Sequence, residues 1–233
     1  MIPGKTILRN ADTVSFDIFD TLTERKNIKD PRDVFWLTAK EIIPNVDPIA
    51  YCMDRIRAEK KARAKKDSRE ATLAEIYDEL PESYAADRNR LQEKEEALEL
   101  DLAQPKKEIV KIYDQCRQSG KRVFIVSDMY LPEELILRML KKCGVNIPDG
   151  LYISNVYSAD KRSGKLFQIL INEQNITPGR HVHIGDDPKG DYLGAKKNGM
   201  QAILIRRKYR IRRVIHSLIY KIRLKSASRP ILD

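Results

Sequence analysis

The chain's apolar runs are short, and three of them stop abruptly at acidic or hydroxyl side chains. The first is Val14-Ser15-Phe16-Asp17-Ile18-Phe19-Asp20-Thr21-Leu22. β-Branched and aromatic residues lead in and Asp17 stands where the run breaks, so residues 12–19 are predicted as a buried strand. A second run, Arg122-Val123-Phe124-Ile125-Val126, ends at Ser127-Asp128-Met129-Tyr130. A third, His181-Val182-His183-Ile184, ends at Gly185-Asp186-Asp187, with Asp191 close behind. Further strands are predicted over 150–154 and 201–205. Helical patterns lie between them from Pro105 onward, over 105–119, 131–143, 163–174 and 189–197. Gly120, Gly144 and Asn198-Gly199 supply stop signals. Strands that alternate with helices require a parallel sheet with helices on both faces, a Rossmann-like α/β architecture. The polar strand ends then gather on one edge, the edge at which open α/β sheets bind ligands.

The alternation is interrupted once. Residues 25–104 read as almost pure helix, in segments 32–43, 48–66, 71–79 and 87–103, with no strand expected. Asp30-Pro31 is predicted to open the first segment as N-cap and N1. The basic run Arg55 to Lys66 and the acidic run Glu93 to Glu99 read as solvated helix faces. Trp36 reads as core of this block. A chain of 233 residues suits one domain with an insertion. The expected division is a core of residues 1–24 and 105–205, a helical insertion over 25–104, and a tail over 206–233.

The tail carries the chain's charge. The net charge is +10, but residues 206–233 hold ten Lys/Arg and one acid, which leaves +1 for residues 1–205. Ile211, Val214, Ile215, Leu218, Ile219 and Ile222 recur at helical spacing among these cations, the pattern of a basic amphipathic helix. Three readings stay open for residues 206–225. They lie on an anionic membrane surface, dock on a partner or second copy, or pack their apolar face on the chain's own sheet. Nucleic acid is not expected, because Tyr209 and Tyr220 are the tail's only stacking groups. No stretch reaches the 18 or so apolar residues of a membrane span, and the first ten residues lack an apolar signal core. Cys52, Cys116 and Cys143 are too few and too scattered for a disulfide framework, and His181, His183 and His216 form no ligand cluster. The expectation is a cytoplasmic protein, placed peripherally at the inner membrane if the tail binds lipid.

Carboxylates gathered at one sheet edge repel and raise each other's pKa unless a cation sits among them. Hard oxygen ligands point to Mg²⁺. A nearby hydroxyl and lysine suit a bound phosphate, and Lys161 and Lys165 both stand at the start of the following helix.

The order Asp17-x-x-x-Thr21-Leu22, Val126-Ser127, Lys161, then Gly185-Asp186-x-x-x-x-Asp191 resembles the four motifs of the haloacid dehalogenase superfamily. The phrases around Phe16–Leu22 and Ser127–Pro132 more narrowly resemble a bacterial subgroup often encoded with glycosyltransferases for surface polysaccharides. The resemblance implies a Mg²⁺-dependent phosphatase acting on a small phosphorylated substrate, with an α-helical (C1-type) cap inserted after the first strand. Asp17 would be the nucleophile that accepts the phosphoryl group. Asp17, the Phe19 backbone carbonyl and Asp186 would hold the metal, with Asp187 and Asp191 behind them. Thr21, Ser127, Asp128 and Lys161 would bind the phosphate, Ser127 and Lys161 serving catalysis directly. Lys161 is preferred over Lys165 because it stands six residues before Phe167, a spacing the superfamily commonly shows. A glycosyltransferase would be the natural protein partner.

The chain departs from the superfamily's phosphatase pattern at one position. Most such phosphatases place a second Asp two residues after the nucleophile as general acid and base, and here that residue is Phe19. A substrate with a good leaving group, a substrate that carries its own proton, or a substitute acid such as Asp20 or Asp128 would each accommodate the change. The rival expectation is a catalytically weak or inactive relative recruited by its tail.

Overall fold

The computed structural model describes residues 5–28, 30–68 and 70–205. The chain opens with α1 (Lys5–Arg9), β1 (Thr13–Phe16) and β2 (Thr23–Arg25). Helices α2 (Asp33–Ile42), α3 (Pro48–Ala64), α4 (Leu73–Asp78) and α5 (Arg88–Leu102) follow. The chain then returns through β3 (Ala103–Pro105), α6 (Lys107–Gln118), β4 (Arg122–Ser127) and α7 (Glu133–Lys142). It closes with β5 (Gly150–Ile153), α8 (Ser154–Tyr157), α9 (Lys165–Gln174), β6 (His181–Gly185), α10 (Gly194–Lys197) and β7 (Gln201–Leu204).

The described chain divides into two compact units. Residues 5–24 and 103–205 form one, and residues 25–102 the other. In the first, five strands pair in the order β5-β4-β1-β6-β7, and each observed pairing is parallel. This is the expected Rossmann-like α/β fold. The connections after β1 and β6 leave in opposite directions, so the crevice beyond the ends of β1, β4 and β6 is a topological switch point. One face of β1 presents Val14 and Phe16 to α6, where the Tyr113 ring lies 5.4 Å from that of Phe16. The other face presents Thr13 and Ser15 beside Phe124, His181 and His183. Leu166, Phe167 and Leu170 of α9 belong to the core on that side.

The second unit contains α2 to α5. Asp47 caps α3 through Ile49 N (3.0 Å), ahead of a proline in the first turn. Thr72 and Glu75 form a reciprocal capping box on α4. Two sequence expectations fail here. The charged runs are not simply solvated faces, because Arg55, Glu95 and Glu99 are all buried. Arg55 grips Glu95 with two bonds of 2.9 and 2.7 Å and lies over the Phe35 ring at 4.5 Å. The Tyr77 hydroxyl donates to the same carboxylate at 2.7 Å. Trp36 is only half-buried, with Lys40 over its ring, while Phe35 takes the core position. Helix α2 also starts later than expected. The Asp30 carboxylate nevertheless accepts from Arg32 N at 3.0 Å, the bond expected of a cap followed by Pro31, and from Arg32 Nε at 2.7 Å.

The sequence reading also missed a ribbon. β2 and β3 pair as a two-stranded sheet flanking the helical block, and β3 begins where helix was expected to end. Strands of three residues carry too little periodicity to be read. The expected amphipathic helix within residues 206–233 lies outside the described residues. Among the described residues, no helix is long and apolar enough to cross a membrane.

Candidate active site

Asp17 follows β1 directly, and its N–H still donates to Ile184 O at 2.9 Å, which extends the ladder by one residue. The carboxyl group is thereby held at the strand end instead of swinging with a loop. Beyond it the chain turns tightly, with Thr21 N and Thr23 N both donating to Ile18 O. Asp20 adopts φ +59°, a left-handed conformation that Asp tolerates better than most residues. Lys106 Nζ donates to the Asp20 carbonyl at 2.5 Å and secures that turn.

Two donors converge on one oxygen of Asp17. Ser127, the last residue of β4, donates through Oγ to Asp17 Oδ1 at 3.1 Å. Lys161 Nζ reaches the same atom at 2.7 Å. The lysine's other bonds go to Asp191 Oδ1 (2.5 Å) and Val126 O (3.3 Å), so its three protons each have an acceptor. Its backbone is placed as firmly. Lys161 N donates to Asp128 Oδ1 at 3.0 Å, and the Lys161 carbonyl lies where a Cβ on Gly194 would be, 2.0 Å away. Only glycine at 194 permits that approach.

Asp17, Asp186 and Asp191 present carboxylate oxygens within 4.8 Å of one another, and all three are buried. Burial pushes Asp17 up to about 7, aided by Asp191 and Asp186 and opposed by Lys161. Burial also acts against the Lys161 ammonium, but Asp17 and Asp191 overrule it and hold the group above its ordinary value. Asp191 is held well below the usual carboxylate range, since Lys161 and His183 outweigh its burial. Lys161 thus bonds two of the three clustered carboxylates, Asp17 and Asp191. A hard divalent cation fits that donor set. The buried Thr21 hydroxyl, which meets no protein partner, adds an oxygen beneath the same turn.

The expected residues fall as follows. Asp17, Ser127, Lys161 and Asp191 are in direct contact. Asp186 joins the carboxylate cluster. Asp128 is exposed, with its carboxylate engaged by Lys161 N. The Asp187 side chain accepts from Lys189 N and Gly190 N and caps the π-helical turn Pro188–Leu193. That turn swings Asp191 back so that its Oδ2 accepts Asp187 N at 2.7 Å. Phe19 is half-buried and bridges to Thr23. Lys165 starts α9 and is exposed.

His181 and His183 belong to no metal-ligand cluster among the described residues, and both are buried on β6, the strand that leads into this site. Ser15 Oγ lies 2.8 Å from His181 Nε2 and 2.7 Å from His183 Nδ1. Thr13 Oγ1 lies 2.7 Å from His181 Nδ1, and His183 Nε2 lies 3.2 Å from Asp191 Oδ1. Burial pushes His181 down to about 3, with His183 and Arg122 adding to it, and burial lowers His183 against the pull of Asp191. The signal was present in the alternation Thr13-x-Ser15-x-Asp17 and His181-x-His183-x-Gly185, which puts each set on one face of its strand.

The magnesium-bound putative HAD-hydrolase YfnB from Bacillus subtilis superposes with a TM-score of 0.60 at 14% identity, covering 89% of this chain and 99% of that one. A HAD phosphatase from Thermococcus onnurineus gives 0.55 at 22% identity, covering 84% and 87%. L-2-haloacid dehalogenase from Xanthobacter autotrophicus gives 0.58 at 14%, covering 84% and 77%. At these identities the likeness is one of fold. A search of curated protein sequences found no match. A model of the haloacid dehalogenase-like hydrolase family matches residues 11–199, a span that holds every residue of the carboxylate, lysine and serine cluster. With four-fifths of its length under that match, the chain belongs to the haloacid dehalogenase-like hydrolases.

Proposed function

We propose that the protein is a Mg²⁺-dependent phosphatase that hydrolyses a small phosphomonoester through an aspartyl-phosphate. The observation that carries this reading is the convergence of Ser127 Oγ and Lys161 Nζ on Asp17 Oδ1, beside two further buried carboxylates. Asp17 attacks phosphorus, an Asp17 O–P bond forms, and the ester P–O bond breaks as the alkoxide leaves, taking its proton from solvent to become the alcohol. Water then attacks the phosphoryl group, inorganic phosphate leaves, and the carboxylate is restored. Ser127 and Lys161, already 3.1 and 2.7 Å from the nucleophile, are positioned to bind the transferring oxygens and offset their charge. Mg²⁺ held by Asp17, Asp186 and the Phe19 carbonyl would neutralise phosphoryl charge. Asp191 serves behind them, since its oxygens already accept from Lys161, His183 and Asp187 N.

The same family contains dehalogenases, but a buried three-carboxylate cluster is costly for a reaction that needs no cation and useful for one that does. We assign the helical unit as the cap that selects substrate and excludes water. A sugar, polyol or amino-alcohol phosphate in surface-polysaccharide assembly is the substrate class the motif resemblance favours. Phe19 favours the second reading, a weakly active relative recruited through residues 206–225 to a membrane or glycosyltransferase. Turnover of an aryl phosphate that requires Mg²⁺ and vanishes in Asp17→Asn supports the enzyme. No turnover across a broad phosphate-ester panel, with tail-dependent membrane binding intact, supports the rival.

A further inference from the structure

Thr13 and Ser15 of β1 stand in register with His181 and His183 of β6. Their side chains link in sequence to Asp191 and Lys161, by contacts of 2.7, 2.8, 2.7, 3.2 and 2.5 Å. The carboxylate end and the neutrality of the two buried imidazoles together set the direction of every bond in this chain. An ionised carboxylate only accepts. His183 therefore donates through Nε2 to Asp191, and as a neutral imidazole it accepts at Nδ1. The donor there is Ser15, which has one proton to give. Ser15 must then accept from His181 Nε2, so His181 accepts at Nδ1, and Thr13 is its donor. With both imidazoles neutral, as their burial favours, no other assignment satisfies all five groups.

We infer that Thr13, His181, Ser15 and His183 form a one-way hydrogen-bond relay whose end fixes Asp191 on Lys161. His183 is thereby a positioning residue for the lysine that faces the nucleophile.

The need for such a device follows from the cluster. Three carboxylates within 4.8 Å compete for one ammonium group. If Asp191 turned toward Asp17 and Asp186 it would carry Lys161 away from Asp17 Oδ1. The His183 bond on Oδ1 and the Asp187 N–H on Oδ2 hold it to one side. The imidazole cannot easily flip and exchange its nitrogens, because the Phe167 ring packs edge-on against it at 4.8 Å. The relay ends at a turn whose approach depends on Gly185, since a Cβ there would lie 2.2 Å from Asp191 Cγ.

The relay stands on these contacts and on two neutral, buried imidazoles, whereas its effect on turnover rests on the phosphatase reading. Both are tested on the full ¹⁵N-labelled chain. Two-bond ¹H–¹⁵N spectra should show His181 and His183 as Nε2–H tautomers, with a slowly exchanging Lys161 ammonium signal. That ammonium signal should disappear in His183→Phe and persist in His183→Gln, whose amide nitrogen replaces Nε2. Ser15→Ala leaves His183 in place, and His183 should then lose its single tautomer. With an aryl phosphate and Mg²⁺, His183→Phe should lower kcat by about 10- to 100-fold, with KM changed by less than about threefold. His183→Gln should restore most of it. An Nδ1–H tautomer at His183, or a Lys161 ammonium as protected in His183→Phe as in the native chain, overturns the relay. If the native chain turns over no phosphate ester, the phosphatase reading falls and the imidazole and ammonium signals still decide the relay.

Discussion

Phe19 occupies the place where an acid is expected, two residues beyond Asp17, the proposed nucleophile. The consequence belongs to leaving groups. A positioned acid contributes roughly 10² to 10⁴ in rate, and most when the departing alkoxide is basic. Phe19→Asp should therefore accelerate hydrolysis of alkyl phosphates more than that of nitrophenyl phosphate, measured as the ratio of kcat/KM. An equal loss on both would show that Phe19 packs against cap or substrate. Asp17 makes a second prediction. Its carboxyl is raised by burial above its unfolded value, so the metal-free site holds a proton up to about pH 7. Metal must displace that proton, so Mg²⁺ affinity should rise about tenfold per pH unit below 7 and level off above it. The same sign governs stability. A carboxyl raised on folding destabilises the metal-free protein as pH climbs from about 4 to about 7, and Mg²⁺ should remove that decline. Titration calorimetry across pH 5.5–8.5 reads the affinity, and a pH-independent constant would refute the shift.

Helices and strands were legible here to the extent that they are long or end in chemistry. β1, β4 and β6 announced themselves because apolar runs stop at Asp17, Ser127 and Gly185-Asp186. The π-helical turn over Pro188–Leu193 read as ordinary helix, since one extra residue per turn leaves the hydrophobic pattern unchanged over so short a span. That turn matters because it returns Asp191 to the strand end. Gly185 makes room for it, and Gly185→Ala should cost about 1–3 kcal/mol by overpacking. It should also loosen Lys161, lowering kcat more than it raises KM. A fully active, equally stable Gly185→Ala would contradict the close approach.

At the scale of the molecule, the sheet and its site were readable from order and spacing, whereas the interior of the helical unit was not. Arg55, Glu95 and Glu99 sit within charge runs that look like surface. Nothing local distinguishes Arg55 from its exposed neighbours, because its burial is decided by Glu95, forty residues away, and by Phe35 and Tyr77. Removing one partner of a buried pair leaves the other charge stranded. Arg55→Met should therefore destabilise the helical unit by about 3–5 kcal/mol, and Glu95→Leu added to it should recover most of the loss. Tyr77 keeps the Leu91 carbonyl as an acceptor in the double variant. Trp36, the chain's single tryptophan, reports this unit's unfolding directly in urea. If the double variant is as unstable as the single one, the pair is not the source of the loss.

Covalent capture of phosphate by Asp17 is the step on which the proposed reaction depends. The direct measurement is acid quench of the native chain during turnover of an aryl phosphate with Mg²⁺, followed by peptide mass spectrometry. A phosphoryl group on Asp17, absent without Mg²⁺ and absent in Asp17→Asn, is the predicted result. Turnover that persists in Asp17→Asn, with no phosphorylated Asp17 in the native chain, would contradict it.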